Sequence, residues 1–357
     1  MSGTGQKPIR VLIIDDSAFN RQTLKRMLEK SPAIEVVGVA VDGYDGMKKV
    51  IKLKPDVITL DLEMPRVDGF TLLRWLMEEN PMPVIVVSSH GEKSTVFKAL
   101  ELGAVDFIVK PTKSASKELE AIEGDLLRKV LSITSLNMDK LRKNISWVGY
   151  KDAVMPQSYG RFEDKDIKIV TIGASTGGPA ALQVVLSMLP GNFPAPILIS
   201  QHMPYGFTRQ FASRMNKVSA LTVKEAEHGE TIEAGKALIC PGGHHITFNR
   251  SRGETVVTIK DSTEDDIYIP SIDLMMMSAA EVFGPKTIGI VLTGMGSDGK
   301  AGMKEIKRRG GFTIAESEES AVIFGMPNEV ILAGAADMIA PLQQIPAEIL
   351  KRFKGQE

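Results

Sequence analysis

Short apolar runs, rich in Val and Ile and without polar alternation, recur along the chain, and segments of helical spacing lie between them. These runs are residues 11–14, 57–60, 84–87, 169–172, 197–199 and 288–292. Strands without polar alternation are buried on both faces, and strands that alternate with helices form parallel sheets covered on both sides. We therefore predict an α/β protein built from doubly wound parallel sheets.

Length and charge limit the classes of function. The 357 residues are enough for two domains at ~150 residues each. The 43 Lys and Arg nearly balance the 44 Asp and Glu, which argues against a protein that mainly binds nucleic acid. The single Cys excludes an intrachain disulfide, and no apolar run approaches the ~18 residues of a membrane span. Without a secretory signal at its N-terminus, the chain is expected to be cytoplasmic and not inserted in the membrane.

The strand–helix alternation lapses between about residues 112 and 166. Helical spacing over 117–133 fits a closing helix of a first domain, and the following residues are mixed and polar. We predict a first domain over 8–133, a linker over 134–165 and a second domain over 166–357.

Polar side chains follow the strands of the first domain. Asp15 and Asp16 follow the first run, Asp61 follows the second, and Ser88 and Lys110 end two later strands. A single Asp could simply cap the next helix, but parallel strands bring their carboxyl ends to one edge of the sheet. Three carboxylates there would repel one another unless a hard cation such as Mg²⁺ neutralised them. The sequence predicts a phosphoryl-acceptor site.

The second domain opens with a strand, a glycine turn and a helix around Gly173-Ala-Ser175-Thr-Gly177-Gly178. A dinucleotide-binding turn, and with it a nucleotide-binding oxidoreductase, is one interpretation. It requires Gly where Ser175 stands and an acid after the next strand, where His202 follows instead. The other interpretation is the G-x-S-x-G turn, which exposes a nucleophilic serine beside free helix N–H groups.

Two further residues favour the nucleophile. His202 follows strand 197–199 and Asp298 follows strand 288–292, so both are expected at the same sheet edge as Ser175. A nearby imidazole removes the serine proton during attack, and a carboxylate orients that imidazole. The chain order Ser, His, Asp differs from the order Ser, acid, His of α/β-hydrolases. We predict a Ser-His-Asp triad on a different fold.

A zinc site is the alternative for Cys240, His244 and His245. Adjacent histidines on a strand point to opposite faces, and no further ligand lies nearby in the sequence. A structural or cleft-lining loop is the favoured interpretation.

Over about residues 8–130 the first domain resembles the receiver domain of two-component response regulators, through Asp15-Asp16, Asp61-Leu-Glu-Met-Pro65, Asp68-Gly69, Ser88 and Lys110-Pro111. The resemblance implies that Asp61 accepts a phosphoryl group from a chemotaxis histidine kinase. It implies Mg²⁺ held by Asp15, Asp16, Asp61 and the Glu63 carbonyl. Ser88 and Lys110 would then contact the phosphoryl oxygens.

The second domain resembles the catalytic domain of CheB-type protein-glutamate methylesterases, through Gly173–Gly178, Gln201-His-Met-Pro204, Cys240-Pro-Gly-Gly243, Thr293-Gly-Met-Gly296, Asp298-Gly299 and Gly325-Met-Pro327. The resemblance implies a flavodoxin-like receiver and a Rossmann-like methylesterase domain. It implies phosphorylation-regulated hydrolysis of glutamate γ-methyl esters on the cytoplasmic helices of bacterial chemoreceptors, with release of methanol, and in many members deamidation of receptor glutamines.

The same resemblance implies roles for individual residues and a place of action. Ser175 is the nucleophile, His202 the base and Asp298 the orienting acid. Thr176 assists the histidine, and the Met295 amide serves the oxyanion. Ester hydrolysis itself needs no cofactor, and the enzyme is recruited to receptor arrays.

Overall fold

The chain divides into two compact units, which meet in sequence between Met138 and Asp139. A computed structural model describes residues 7–88, 93–110, 116–149, 168–251, 253–263 and 265–353. Among these residues, no helix combines the length and the apolar character needed to cross a membrane.

The first unit is one parallel five-stranded sheet, in the order β2-β1-β3-β4-β5, with helices between the strands. This order is the flavodoxin-like one, which confirms the predicted fold of this unit. Its strands are β1 (Ile9–Ile14), β2 (Ile34–Ala40), β3 (Val57–Asp61), β4 (Val84–Ser88) and β5 (Asp106–Val109). Its helices are α1 (Ala18–Leu28), α2 (Gly43–Leu53), α3 (Gly69–Glu79), α4 (Lys93–Glu101) and α5 (Ser116–Ser132).

The second unit is a parallel seven-stranded sheet, in the order β14-β13-β12-β6-β7-β9-β8, with a separate antiparallel hairpin of β10 and β11. Its strands are β6 (Ile169–Ala174), β7 (Ile197–Gln201), β8 (Thr222–Glu225), β9 (Lys236–Ile239), β10 (His244–Ser251), β11 (Glu254–Asp261), β12 (Thr287–Val291), β13 (Phe312–Glu316) and β14 (Met338–Ala340). Its helices are α6 (Met138–Gly149), α7 (Gly178–Ser187), α8 (Thr208–Val218), α9 (Ile272–Phe283), α10 (Lys300–Arg308), α11 (Met326–Leu332) and α12 (Ile345–Lys351).

The order of strands reverses at β6, which lies between β7 on one side and β12 on the other. In an open parallel sheet, a crevice forms outside the carboxyl ends of the strands at such a reversal, and ligands bind there. All residues of β6, β7 and β12 are buried, as their mostly apolar sequences without polar alternation predict. The fold therefore brings the residues that follow these three strands to one place.

The segment 134–165, predicted as an irregular linker, contains helix α6. The buried Leu141 and Asn144 attach this helix to the second unit, and the Asn144 side-chain amide donates to the Ser320 carbonyl at 3.4 Å. Leu141 and Ile145 have the i, i+4 spacing of a helix face, which was hidden among polar residues. The predicted boundaries of the two domains are otherwise still predictions.

Candidate functional sites

Three carboxylates meet at the carboxyl edge of the first sheet. Asp15 follows β1 and Asp61 ends β3, and oxygens of these two and of Asp16 lie within 4.8 Å of one another. Lys110 Nζ is 2.8 Å from Asp61 Oδ1, and the Lys110 backbone N–H donates to the Ser88 carbonyl at 2.7 Å. The structure thus brings the Asp15, Asp16, Asp61 and Lys110 side chains together, with the Ser88 backbone bonded to Lys110. The role of the Ser88 hydroxyl is still a prediction.

The environment of this pocket suits a divalent cation. Burial, and then the charge of Asp61, raises the pKa of Asp15 to about 6. Burial also raises the pKa of Asp61, although Lys110 opposes this. Asp61 Oδ2 is buried and has no hydrogen-bond partner among the described residues, so an acceptor is left for a ligand, and Asp16 is exposed to solvent. Oxygen donors of this kind fit Mg²⁺.

Glu63 lies beside this pocket. Its backbone N–H donates to Asp61 Oδ1 at 3.2 Å, which directs the turn after β3 toward the carboxylates. The use of its carbonyl as a metal ligand is still a prediction.

A hydroxyl, an imidazole and a carboxylate form a continuous chain at the reversal point of the second sheet. His202 Nδ1 lies 3.1 Å from Ser175 Oγ, and His202 Nε2 lies 2.8 Å from Asp298 Oδ2. These side chains come from the turns after β6, β7 and β12. His202 therefore lies within hydrogen-bond reach of both other residues of the predicted triad.

Asp298 determines which nitrogen of His202 acts as a base. A carboxylate only accepts hydrogen bonds, so the proton of the neutral imidazole is on Nε2 and the lone pair of Nδ1 faces Ser175. Burial disfavours the charge of Asp298, but the hydrogen bond and charge of His202 and the N–H groups of Ile272 and Asp273 outweigh it, and the pKa of Asp298 lies below its usual range. Asp298 therefore stays ionised and can stabilise a protonated imidazole.

The Ser175 turn is held by its neighbours. The Ser175 N–H donates to the Thr293 carbonyl at 3.0 Å, and the Gln201 side-chain amide donates to the Ser175 carbonyl at 2.9 Å. Gly177 has a φ of 77°, in the left-handed region that favours glycine. A Cβ on Gly178 would lie 2.1 Å from Gln201 Oε1. Gly177, the last residue of the G-x-S-x-G pattern, and the following Gly178 therefore meet conformational and packing requirements of this turn.

The two predicted supporting residues flank the serine. Thr176 is buried, and its carbonyl accepts from Thr293 Oγ1 at 3.0 Å. Gly294 packs so closely on Ser175 that a Cβ there would lie 2.7 Å from Ser175 Cβ, and Met295 is the next residue. This places Met295 beside the turn, while the oxyanion role of its amide and the role of Thr176 are still predictions.

The sequence analysis did not predict several residues around the triad. Tyr268 stacks on the His202 ring with centroids 5.2 Å apart, and the fully buried Glu316 accepts from the Thr293 N–H at 2.7 Å. Gln201 was visible only as the residue before His202. Tyr268 lies in a loop after the hairpin, where no rule about strand ends applies.

Zinc binding at Cys240, His244 and His245 finds no support. Within the described ranges, the only group of three or more Asp, Glu, His or Cys close enough to hold a metal is the acidic pocket of the first unit. Cys240 is buried, and its thiol contacts the Pro241 and His244 carbonyls. Burial raises the pKa of this thiol well above its usual range.

Comparison with known proteins supports the family resemblance of each of the two domains. A family model described as CheB methylesterase matches residues 170–349, and one described as response regulator receiver domain matches residues 11–122. The chain is 49% identical to a protein-glutamate methylesterase/protein-glutamine glutaminase of Geobacter sulfurreducens, over 97% of this chain and 98% of that one. It is 42% identical to a protein of the same name from Pyrococcus abyssi, over 98% and 94%.

A solved structure extends the likeness to three dimensions. The crystal structure of the Thermotoga maritima CheB methylesterase catalytic domain aligns with a TM-score of 0.51 at 44% identity, covering 52% of this chain and 98% of that one.

Proposed function

The chain belongs to the CheB methylesterase family, and from this premise we propose that it hydrolyses glutamate γ-methyl esters on chemoreceptors under control of its receiver domain. The observation that carries the proposal is the contact of His202 with both Ser175 Oγ and Asp298 Oδ2. The names of the relatives support protein glutamine as a second substrate, since amide and ester hydrolysis share the same acyl chemistry.

The triad divides hydrolysis into two steps. Ser175 Oγ attacks the ester carbonyl while His202 Nδ1 takes its proton, and Asp298 stabilises the protonated ring. Amides of the turn after Ser175 and of Met295 donate to the oxyanion, each worth about 3 kcal/mol of barrier. His202 then returns the proton to the methoxide, which leaves as methanol, and a water activated by the same nitrogen releases the carboxylate from Ser175.

Methanol release tests this assignment. Methylated chemoreceptor is incubated with wild type, with Ser175→Ala and with Ser187→Ala, a matched control on helix α7 whose hydroxyl donates to the Val184 carbonyl. We expect Ser175→Ala to lose turnover while its melting curve is unchanged, and Ser187→Ala to keep it. Turnover by the Ser175→Ala protein would remove this serine from the mechanism.

For the receiver unit, we propose that Asp61 accepts the phosphoryl group from a histidine kinase, with Mg²⁺ held by Asp15, Asp16, Asp61 and the Glu63 carbonyl. The bound ion would neutralise negative charge on the carboxylates and on the phosphoryl oxygens. Lys110, already paired with Asp61, and Ser88 would contact those oxygens. A tenfold change in esterase activity requires phosphorylation to change the free-energy difference between a restrained and an active state by only ~1.4 kcal/mol.

Phosphorylation is tested with a small phosphodonor and Mg²⁺ on the full chain. We expect a phosphoryl group in intact-mass spectra of wild type and none on Asp61→Asn, together with faster methanol release by wild type only. A phosphoryl group on the Asp61→Asn protein would show that another residue is the acceptor. Because the substrates are receptor helices, we place the enzyme in the cytoplasm at receptor arrays, a location that fluorescent tagging checks.

A further inference from the structure

His245 is a buried histidine outside the triad, and both of its ring nitrogens face the segment that leads into α9. It lies on β10, directly after His244, with its side chain on the buried face. Its Nδ1 accepts the Ser271 backbone N–H at 2.9 Å. Because Nδ1 accepts, the proton of the neutral ring is on Nε2.

The amides at the start of α9 have two side-chain acceptors besides the cap. Ser271 is the N-cap, and its hydroxyl accepts the Leu274 N–H at 3.2 Å. The next two amides donate to Asp298, from Ile272 to Oδ2 at 2.7 Å and from Asp273 to Oδ1 at 2.9 Å. The first amides of a helix have no partner within the helix, so their direction depends on such acceptors.

His245 and Asp298 are therefore bound by consecutive amides of one helix terminus. We propose that His245 is a positioning residue for the esterase: by fixing the Ser271 N–H, it holds the start of α9, and with it the Asp298 carboxylate, in register with His202. The inference rests on the proposed function of the triad. His245 itself contacts none of the reacting atoms.

A second contact of His245 supports the same role. Its Nε2 lies 3.1 Å from Asp266 Oδ2, with the N–H not aimed straight at that oxygen. The Thr263 N–H donates to the same oxygen at 2.6 Å. The Thr263 N–H and then His245 lower the pKa of Asp266, so this carboxylate is charged at neutral pH.

The His245 imidazole thus contacts both ends of the segment 266–271, the Asp266 carboxylate and the Ser271 N–H. Between them Tyr268 stacks on His202, nearly parallel at 9°. The Tyr268 hydroxyl accepts the Ser297 N–H at 3.4 Å, next to Asp298. His245 therefore supports the His202 imidazole by two routes. One is through Asp298, which contacts His202 Nε2, and the other is through Tyr268, which stacks on the His202 ring.

Four substitutions separate this role from packing. His245→Leu removes both contacts, His245→Asn keeps an acceptor near the position of Nδ1, and His245→Gln keeps an amide near Nε2. His244→Asn is the control, because His244 points to the opposite face and pairs with Asp261 at 3.1 Å. We expect His245→Leu and His245→Gln to lower kcat for methanol release by about 100-fold, the scale of a misplaced catalytic group, with little change in KM. His245→Asn and His244→Asn should stay near wild type.

The double variant of His245→Leu with Asp298→Ala tests the route. If His245 acts through Asp298, adding His245→Leu to the Asp298→Ala protein should lower kcat by only about threefold or less, since the two effects are not additive. Wild-type kcat in a folded His245→Leu protein overturns the proposal, as does an undiminished loss in the Asp298→Ala background. If His245→Leu does not fold, equal kcat in His245→Asn and His245→Gln overturns it. Turnover by Ser175→Ala would instead overturn the proposed function.

Discussion

Glu316 is a carboxylate with no exposed surface, two strands away from Ser175. Oε2 accepts the Thr293 N–H at 2.7 Å, and Oε1 accepts the Ser320 hydroxyl at 2.8 Å. Burial raises its pKa from 4.5 to about 7, although both hydrogen bonds oppose this. The native state therefore binds this proton more tightly than the unfolded state does, so stability is lost as the pH rises from about 4.5 to about 7.

Replacing Glu316 by Gln should remove this pH dependence. Wild type should lose about 2–3 kcal/mol of unfolding free energy between pH 5 and pH 8 relative to Glu316→Gln. Differential scanning calorimetry at the two pH values measures the difference, and the exposed Glu319→Gln serves as control. Parallel pH profiles of wild type and Glu316→Gln would contradict the prediction.

Asp298 offers a test of the proton arrangement in the triad. The amide of Asp298→Asn presents an N–H toward His202, which favours the tautomer with its proton on Nδ1, facing Ser175. That tautomer cannot accept the serine proton, so kcat should fall on the order of 10⁴-fold, as in a serine protease with the same change, while KM changes little. Steady-state methanol release measures both constants. A loss below about tenfold would mean that Asp298 does not orient the imidazole.

At the scale of elements, the close packing of α9 on α10 locates the carboxylate of the triad. A Cβ on Gly302 in α10 would lie 2.4 Å from Met276 Cβ, and the Gly302 N–H donates to Asp273 Oδ1 at 2.7 Å. Gly302→Ala should separate the helices, destabilise the second unit by about 1–3 kcal/mol and lower esterase activity. Thermal unfolding and methanol release measure the two effects.

Gly124 supplies a control of opposite sign. It also lies in a helix, α5, but among the described residues a Cβ there would approach only the Arg128 guanidinium, at 4.0 Å. Gly124→Ala should stabilise the first unit by roughly 0.5–1 kcal/mol, because the unfolded chain loses freedom without strain in the folded state. Stabilisation by both substitutions would show that α9 and α10 adjust to the added methyl group.

Parallel strands bring their carboxyl ends to one edge of a sheet. This rule explains which site residues the sequence could predict and which it could not. The apolar runs that become β6, β7 and β12 identify three strands, and parallel pairing brings Ser175, His202 and Asp298 to one edge. Tyr268 and His245 depend on the β10–β11 hairpin and the turn into α9, whose position relative to the sheet follows from packing and not from any strand-end rule. The motifs therefore predicted the triad, but neither Tyr268 nor the position of His245.

At the scale of the whole molecule, α6 determines where the receiver can be removed. This helix is joined in sequence to the receiver unit, yet Lys140 donates to the Glu318 carbonyl and the Gln343 amide donates to Asn144 Oδ1 at 3.2 Å. Deletion of the predicted linker would take these contacts away from the second unit. A fragment of residues 138–357 keeps them, and a fragment of residues 166–357 does not.

We expect the two fragments to differ in stability and both to differ from the full chain in regulation. If the unphosphorylated receiver restrains the esterase, fragment 138–357 should release methanol faster than the full chain and should not respond to a phosphodonor. Fragment 166–357 should melt at a lower temperature, because the partners of Leu141 and Asn144 become exposed to water. Equal basal rates of the full chain and fragment 138–357 would argue against restraint, and equal melting temperatures of the fragments would show that α6 adds nothing to the stability of the catalytic unit.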